Sequence, residues 1–146
     1  MLVREIMTEN PMCCRPETSC REVARMMVEC DCGEIPVIDE TGKPLGVVTD
    51  RDITCRLVAE GLDSSGTHAS EVMTSPVVNI HEFGNIAEAC KQMEDTMIRR
   101  IVVTDDAGRV CGMLTLADIA LRAPGFAEEI VEEVSQPTRE PSRVHS

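Results

Sequence analysis

The chain has 146 residues with 26 acidic and 14 basic side chains, a formal net charge of −12, and 42% apolar residues, a length that suits one compact domain or two small ones. Phe83 and Phe126 are the only Phe, Trp or Tyr residues, too few for a base-stacking platform, and the acid excess repels phosphate backbones, so composition argues against nucleic-acid binding while leaving room for a local anion site. No apolar run nears the roughly 18 residues of a membrane span, and Met1 to Asn10 has neither a basic start nor an apolar stretch, which sets the expectation of a cytoplasmic protein away from membranes, its eight cysteines mostly reduced.

In chain order, a short leading segment, Val3 to Thr8, precedes a strand near Met12 to Cys14. Ser19 or Thr18 can cap a helix over Cys20 to Cys30, where Val23, Met26, Met27 and Cys30 keep helical spacing. Two strand-like runs follow, Ile35 to Ile38 and Leu45 to Val48, joined by Glu-Thr-Gly-Lys-Pro, and a helix runs from Thr49 to about Ala59. After the polar stretch Leu62 to His68 the order recurs: Ala69 to Thr74, a strand at Val77 to Ile80, an Asn85-capped helix over Ile86 to Asp95, strands at Ile101 to Thr104 and Val110 to Leu114, and a helix from Thr115 to Arg122. Residues 125–134 can form one more amphipathic helix, with Phe126, Ile130, Val131 and Val134 on one side. Residues 135–146 are polar, carry Pro137 and Pro141, and are expected to be disordered.

The recurrence is a duplication at an offset of 66 residues, as in Glu5 and Glu71. Ile35, Val37, Asp39, Gly42, Gly46, Thr49, Asp52, Ile53 and Arg56 return as Ile101, Val103, Asp105, Gly108, Gly112, Thr115, Asp118, Ile119 and Arg122. The expected division is repeat 1 over 2–61, a linker over 62–68 and repeat 2 over 69–124. Each repeat reads strand, helix, strand, strand, helix, an α+β unit.

The most specific feature is the pair Gly46-Val-Val-Thr-Asp-Arg-Asp-Ile53 and Gly112-Met-Leu-Thr-Leu-Ala-Asp-Ile119. In each, a strand ends on a threonine and a carboxylate follows three positions later, in the first turn of a helix. The plain reading is a capping box. Aspartate is shorter than the usual glutamate at that position, so it is expected to reach back poorly and to keep a carboxylate free for two vicinal hydroxyls, as a ribose offers. The adjoining helix N-terminus suits phosphate.

With its duplicated order of elements, its Ile-Pro-Val-Ile-Asp and Ile-Val-Val-Thr-Asp strands and its repeated Gly-h-h-Thr-x-x-Asp-Ile segments (h, apolar), the chain resembles a pair of CBS domains, the cystathionine beta-synthase type regulatory module. The resemblance implies two repeats about a pseudo-twofold axis, clefts for adenosine ligands such as AMP, ADP, ATP, S-adenosylmethionine or NAD, and a homodimer. It also implies sites that join the early strands of one repeat to the Thr-x-x-Asp of the other. One would then combine Thr49, Arg51 and Asp52 with Pro76, Val77, Val78, Ile98, Arg99 and Arg100, up to three guanidinium groups for a phosphorylated ligand. The second would combine Thr115 and Asp118 with Pro11 to Cys13, Cys32, Gly33 and Glu34. There Ala117 replaces Arg51 and Glu34 replaces Arg100, so it is expected to be empty, weak or selective for a less charged ligand.

Most cysteines occupy positions where the other repeat has an aliphatic residue, which reads as small core hydrophobes, with Cys13 and Cys30 the best candidates for exposed thiols. His68, His81 and His145 form no metal-ligand spacing with them, so no metal is expected. Neither a nucleophile beside a base nor a Walker loop is present. The expected function is therefore regulatory rather than enzymatic: an adenine nucleotide, AMP or ATP first among the candidates, is sensed in the cleft and read by an unidentified protein partner. The rivals are a cysteine-based redox or zinc-responsive module and a ligand-free dimerisation adaptor.

Overall fold

The computed structural model describes residues 1–125; the helix expected over 125–134 and the polar tail fall almost wholly outside the described residues. The elements are α1 (Val3–Ile6), β1 (Thr8–Glu9), α2 (Cys20–Cys30), β2 (Glu34–Ile38), β3 (Pro44–Thr49), α3 (Asp50–Asp52) running directly into a π-helical stretch (Ile53–Val58), α4 (Ala69–Val72), β4 (Asn79–His81), α5 (Ile86–Thr96), β5 (Arg100–Thr104), β6 (Val110–Thr115) and α6 (Leu116–Arg122). This is the expected α+β order. The first strand of repeat 1 is the exception: Met12 to Cys14 contributes only a single parallel bridge, Cys14 to Val37, where its counterpart β4 pairs with β5 over three positions.

Local chemistry explains the boundaries. Ser19 and Asn85 accept from the Glu22 and Glu88 amides and start α2 and α5, each using an otherwise unpaired donor of the first turn. Both helices end on a left-handed residue at the same repeat position, Asp31 (φ 49°) and Met97 (φ 57°). The β2–β3 and β5–β6 hairpins turn at Gly42 and Gly108, whose φ values of 89° and 78° suit glycine. Asp39 and Asp105 organise these turns by accepting from the Lys43 and Arg109 amides; the Thr41 hydroxyl first and the Lys43 amide next hold the Asp39 carboxyl below the usual range, and the Arg109 amide does so for Asp105.

The leading segments are exchanged. Val3 and Ile6 of α1 are buried in the core of repeat 2, with Ile86, Met93, Ile101, Leu114 and Ile119. Ala69 and Val72 of α4 are buried in that of repeat 1, with Val23, Ile35, Val37, Val48 and Leu57. Each such aliphatic side chain contributes about 1.5–3 kcal/mol when fully buried. The backbone follows the same rule: Thr8 pairs with Met113 as Thr74 pairs with Val47, and Leu2 bridges Asn85 as His68 bridges Ser19. Because each relation is the other shifted by the repeat offset with the halves interchanged, the two repeats are related as a twofold would relate them. β1 therefore completes a four-stranded sheet in the order β1-β6-β5-β4, and β2-β3 forms the smaller sheet.

Candidate functional site

Two cavities lie where the repeats meet. The smaller, about 140 Å³, is lined by Thr49 with Pro76, Val77, Val78, Ile98, Arg100 and Glu34. The larger, about 400 Å³, is lined by Thr115 and Ala117 with Pro11, Met12, Cys32, Gly33, Glu34 and Arg100. Each thus joins the threonine turn of one repeat to the early segment of the other, and the two linings correspond under the offset: Thr8 with Thr74, Met12 with Val78, Cys32 with Ile98, Met113 with Val47. Thr8, Thr74, Val47 and Met113 were not among the candidate residues, although Thr8 and Thr74 also match in the duplication and carried that signal.

The sizes run opposite to the expected strengths. The cavity with the fewer expected cations is the roomier one, and at the equivalent lining positions Cys32 is shorter than Ile98 and is drawn onto Cys30. Three guanidinium groups do not converge on the smaller cavity. Arg51 and Arg99 are exposed and line neither space, and Arg100 lines both.

Both Thr-x-x-Asp turns are complete capping boxes, which corrects the expectation that aspartate reaches back poorly. Asp52 accepts from the Thr49 amide at 2.9 Å and Asp118 from the Thr115 amide at 3.0 Å, while the threonine hydroxyls accept from the Asp52 and Asp118 amides at 3.0 and 3.1 Å. A strand that runs straight into a helix brings the carboxylate close enough. Beyond the box the two differ. Asp52 is buried and also accepts from the Thr74 hydroxyl, with the Arg56 Nε 3.7 Å away. Asp118 is half-buried, and among the described residues only the Thr115 amide donates to its carboxylate. The carboxylate with the fewer donors is therefore Asp118, next in the chain to Ala117 of the larger cavity; neither Asp52 nor Asp118 itself lines a cavity.

Glu34 and Arg100 begin β2 and β5 and occupy the same repeat position. Arg100 Nη1 donates to the Gly33 carbonyl (3.1 Å) and lies 3.8 Å from Asp50 Oδ1; the Asp50 amide donates to the same carbonyl at 2.9 Å. The two side chains close over Gly33: a Cβ there would stand 2.7 Å from Arg100 Nη2 and 2.8 Å from Asp50 Oδ2, so a larger residue would push these side-chain ends aside. Burial pushes the Glu34 carboxyl up to about 7; the Arg100 charge opposes this, and Asp52 and Asp50 add to it.

Cys30 and Cys32 form a disulfide on the wall of the larger cavity, a departure from the expected reduced state that arises because the left-handed turn at Asp31 brings their Cα atoms to 5.3 Å. The other six cysteines are outside any disulfide. Cys14, Cys20 and Cys90 are core residues as expected, and burial raises Cys13, Cys14 and Cys111 to about 11, 12 and 11, so these are thiols rather than thiolates at neutral pH. His81 ends β4 and meets Asp106 at 2.7 Å. Among the described residues no group of three or more His, Cys, Asp or Glu side chains is placed to hold a metal ion, and no helix is long and apolar enough to cross a membrane.

The fold and cavities define a tandem α+β repeat with ligand-sized clefts between its halves. The CBS domain model matches residues 3–59 and 69–125, and the chain belongs to that family. It is 31% identical over 124 residues to hypoxic response protein 1 of Mycobacterium tuberculosis, covering 85% of this chain and 86% of that protein. A crystal structure of that protein, with two coordinated zinc ions, superposes with a TM-score of 0.78 at 30% identity over 85% of this chain and 100% of the other. A CBS domain pair in complex with 5′-methylthioadenosine and S-adenosyl-L-methionine matches at TM-score 0.76 and 28% identity, covering 86% and 97% of the two chains. A CBS domain protein from Pyrobaculum aerophilum complexed with AMP matches at TM-score 0.78 and 25% identity, covering 90% and 99%. Other relatives are longer: the chain spans 65% of a Methanopyrus kandleri protein to which it is 32% identical over 133 residues, 91% of its own length. It spans 24% of the homoserine O-acetyltransferase of Methanocorpusculum labreanum, at 31% identity over 83% of its own length.

Proposed function

We propose that the chain is a ligand-sensing regulatory module that takes an adenosine-containing small molecule in the clefts between its repeats. The observation that carries this reading is the larger cavity: about 400 Å³, within the roughly 300–1,000 Å³ usual for small-molecule sites, with a helix start at Thr115, the open Asp118 acceptor beside it and Arg100 on its wall. Relatives of the same architecture carry AMP, S-adenosylmethionine and 5′-methylthioadenosine. In this reading Asp118 accepts from the ribose hydroxyls, Thr115 and the first turn of α6 meet the phosphate side, and Pro11 and Met12 pack on the base. AMP or ATP are the favoured ligands, with ADP, NAD and S-adenosylmethionine as alternatives. Asp52 and Asp118 serve as binding and capping groups rather than catalytic ones. Occupancy is passed on through the arrangement of the halves or of two protomers in a cytoplasmic homodimer read by a protein partner, which requires unequal affinity for the two arrangements.

The test is calorimetric unfolding with AMP, ADP, ATP, NAD, S-adenosylmethionine and guanine nucleotides, on protein first freed of carried-over nucleotide. A ligand at about 100 times its dissociation constant adds roughly 2.7 kcal/mol. Stabilisation by an adenosine ligand that is lost in Asp118→Ala is expected; no stabilisation by any of them overturns the reading.

A thiol-responsive module is the second reading, favoured by the Cys30–Cys32 bond on the cavity wall. It requires a change in assembly on reduction with no nucleotide present, or stoichiometric zinc.

A further inference from the structure

The two cavities share a charged wall. Glu34 and Arg100 line both, and they are the only pair of equivalent positions in the linings at which the repeats carry opposite charges. Among the described residues, no Lys or Arg other than Arg100 lines either cavity. Its surroundings are acidic: Glu34 stands beside it, Asp50 lies 3.8 Å from Nη1, and the chain carries a net −12. The Gly33 carbonyl holds one of its nitrogens already.

We propose that Arg100 is one guanidinium serving both cavities, so that a phosphorylated adenosine ligand bound in the larger weakens the binding of a second in the smaller, while for an uncharged nucleoside only the difference in size separates the two. This rests on the adenosine-site reading above and adds to it a rule of selectivity. A phosphate gains most of its local stabilisation from charge-assisted bonds, and the forked guanidinium delivers two of them to one anion. The first phosphorylated ligand takes that fork. A second meets a cation already neutralised, the Glu34 carboxylate and the charge of the first ligand, all within about one Debye length of 10 Å at 0.1 M salt. A nucleoside without phosphate needs none of these bonds and is indifferent to whether Arg100 is already taken.

The experiment is isothermal titration of the full chain with AMP and with adenosine. The expected result is a gap between the first and second dissociation constants at least about tenfold wider for AMP than for adenosine, beyond the gap that the unequal cavities, about 400 and 140 Å³, impose on both ligands. Arg100→Gln, checked for intact secondary structure by circular dichroism, should weaken the first AMP by about tenfold or more relative to its effect on adenosine and erase the difference between the two ligands. Glu34→Gln supplies an independent variant: removing the carboxylate should strengthen the second AMP. Equal stoichiometry and equal spacing of constants for AMP and adenosine overturn the shared cation, because size rather than charge then sets occupancy. So does a gap for AMP that survives in Arg100→Gln. Failure of both ligands to bind instead overturns the adenosine-site reading, and the proposal with it.

Discussion

The Thr74 hydroxyl donates across the repeat boundary to Asp52, 3.0 Å from one carboxylate oxygen and 3.1 Å from the other. Thr8, which holds the same place in the duplication, makes no such bond to Asp118 among the described residues. The contact ties the leading segment of repeat 2 to the helix start of repeat 1, and it makes two identical sequence motifs unequal in energy.

Asp52→Ala should therefore cost more than Asp118→Ala. Removing Asp118 takes away one capping partner, about 1 kcal/mol. Removing Asp52 also takes away the bond from the Thr74 hydroxyl and leaves Arg56 only its bonds to the Val72 and Met73 carbonyls, for a total of about 2 kcal/mol. Urea unfolding followed by circular dichroism measures both, and equal losses would contradict the asymmetry.

Glu34 gives stability a defined slope against pH. Its folded pKa of about 7 lies above the ordinary glutamate value of 4.5, so between those values the folded chain binds more protons than the unfolded one, and stability falls as pH rises through 7. Arg100 opposes the shift and Asp50 and Asp52 reinforce it. Comparing Glu34→Gln with the parent between pH 5 and 8, above the range in which Asp39 and Asp105 titrate, should show the parent losing about 1–3 kcal/mol relative to the variant. Parallel pH profiles would show that residue 34 keeps an ordinary carboxyl.

Met97 holds a left-handed conformation (φ 57°) at the end of α5, with its side chain largely exposed. A non-glycine residue pays about 1–2 kcal/mol there, part of which glycine returns through the entropy of the unfolded chain. Met97→Gly should raise stability by about 0.5–1 kcal/mol in the same urea assay. A loss would mean that the methionine packs more than its exposure indicates.

Alkylation counts test the Cys30–Cys32 bond. Unfolded in the absence of reductant, the chain should take up label at six cysteines, Cys13, Cys14, Cys20, Cys55, Cys90 and Cys111, and after reduction at all eight. Intact-mass measurement separates the two, and eight labels without reduction would show the pair to be open.

Periodicity and capping chemistry are local, which is why α2, α5 and both hairpins were legible to within a residue or two and why the offset marked the two Thr-x-x-Asp turns. What was not legible is set by contacts distant in sequence. No local pattern shows that Thr74 satisfies Asp52, that Arg51 and Arg99 face solvent, or that Arg100 reaches the Gly33 carbonyl 67 positions away. The Cys30–Cys32 bond lay in view as a spacing, but its formation depends on the left-handed turn at Asp31. The weakness of the first strand follows from Met12 to Cys14 meeting its neighbour through one bridge only, a matter of approach rather than composition.

The crossing of α1 and α4 into each other's cores bears on how such a chain can arise. A lone copy of either half would expose the socket that its own leading helix does not fill, and it would present that helix to nothing. Two identical copies would satisfy one another by trading these helices, and residues 62–68, which join the halves here, add contacts of their own: Thr67 is buried and its carbonyl accepts from the Cys20 amide, as that of Ser64 does from Arg21. Once joined, the copies are free to diverge, and glutamate at position 34 opposite arginine at position 100 is a difference that a pair of identical chains could not have held.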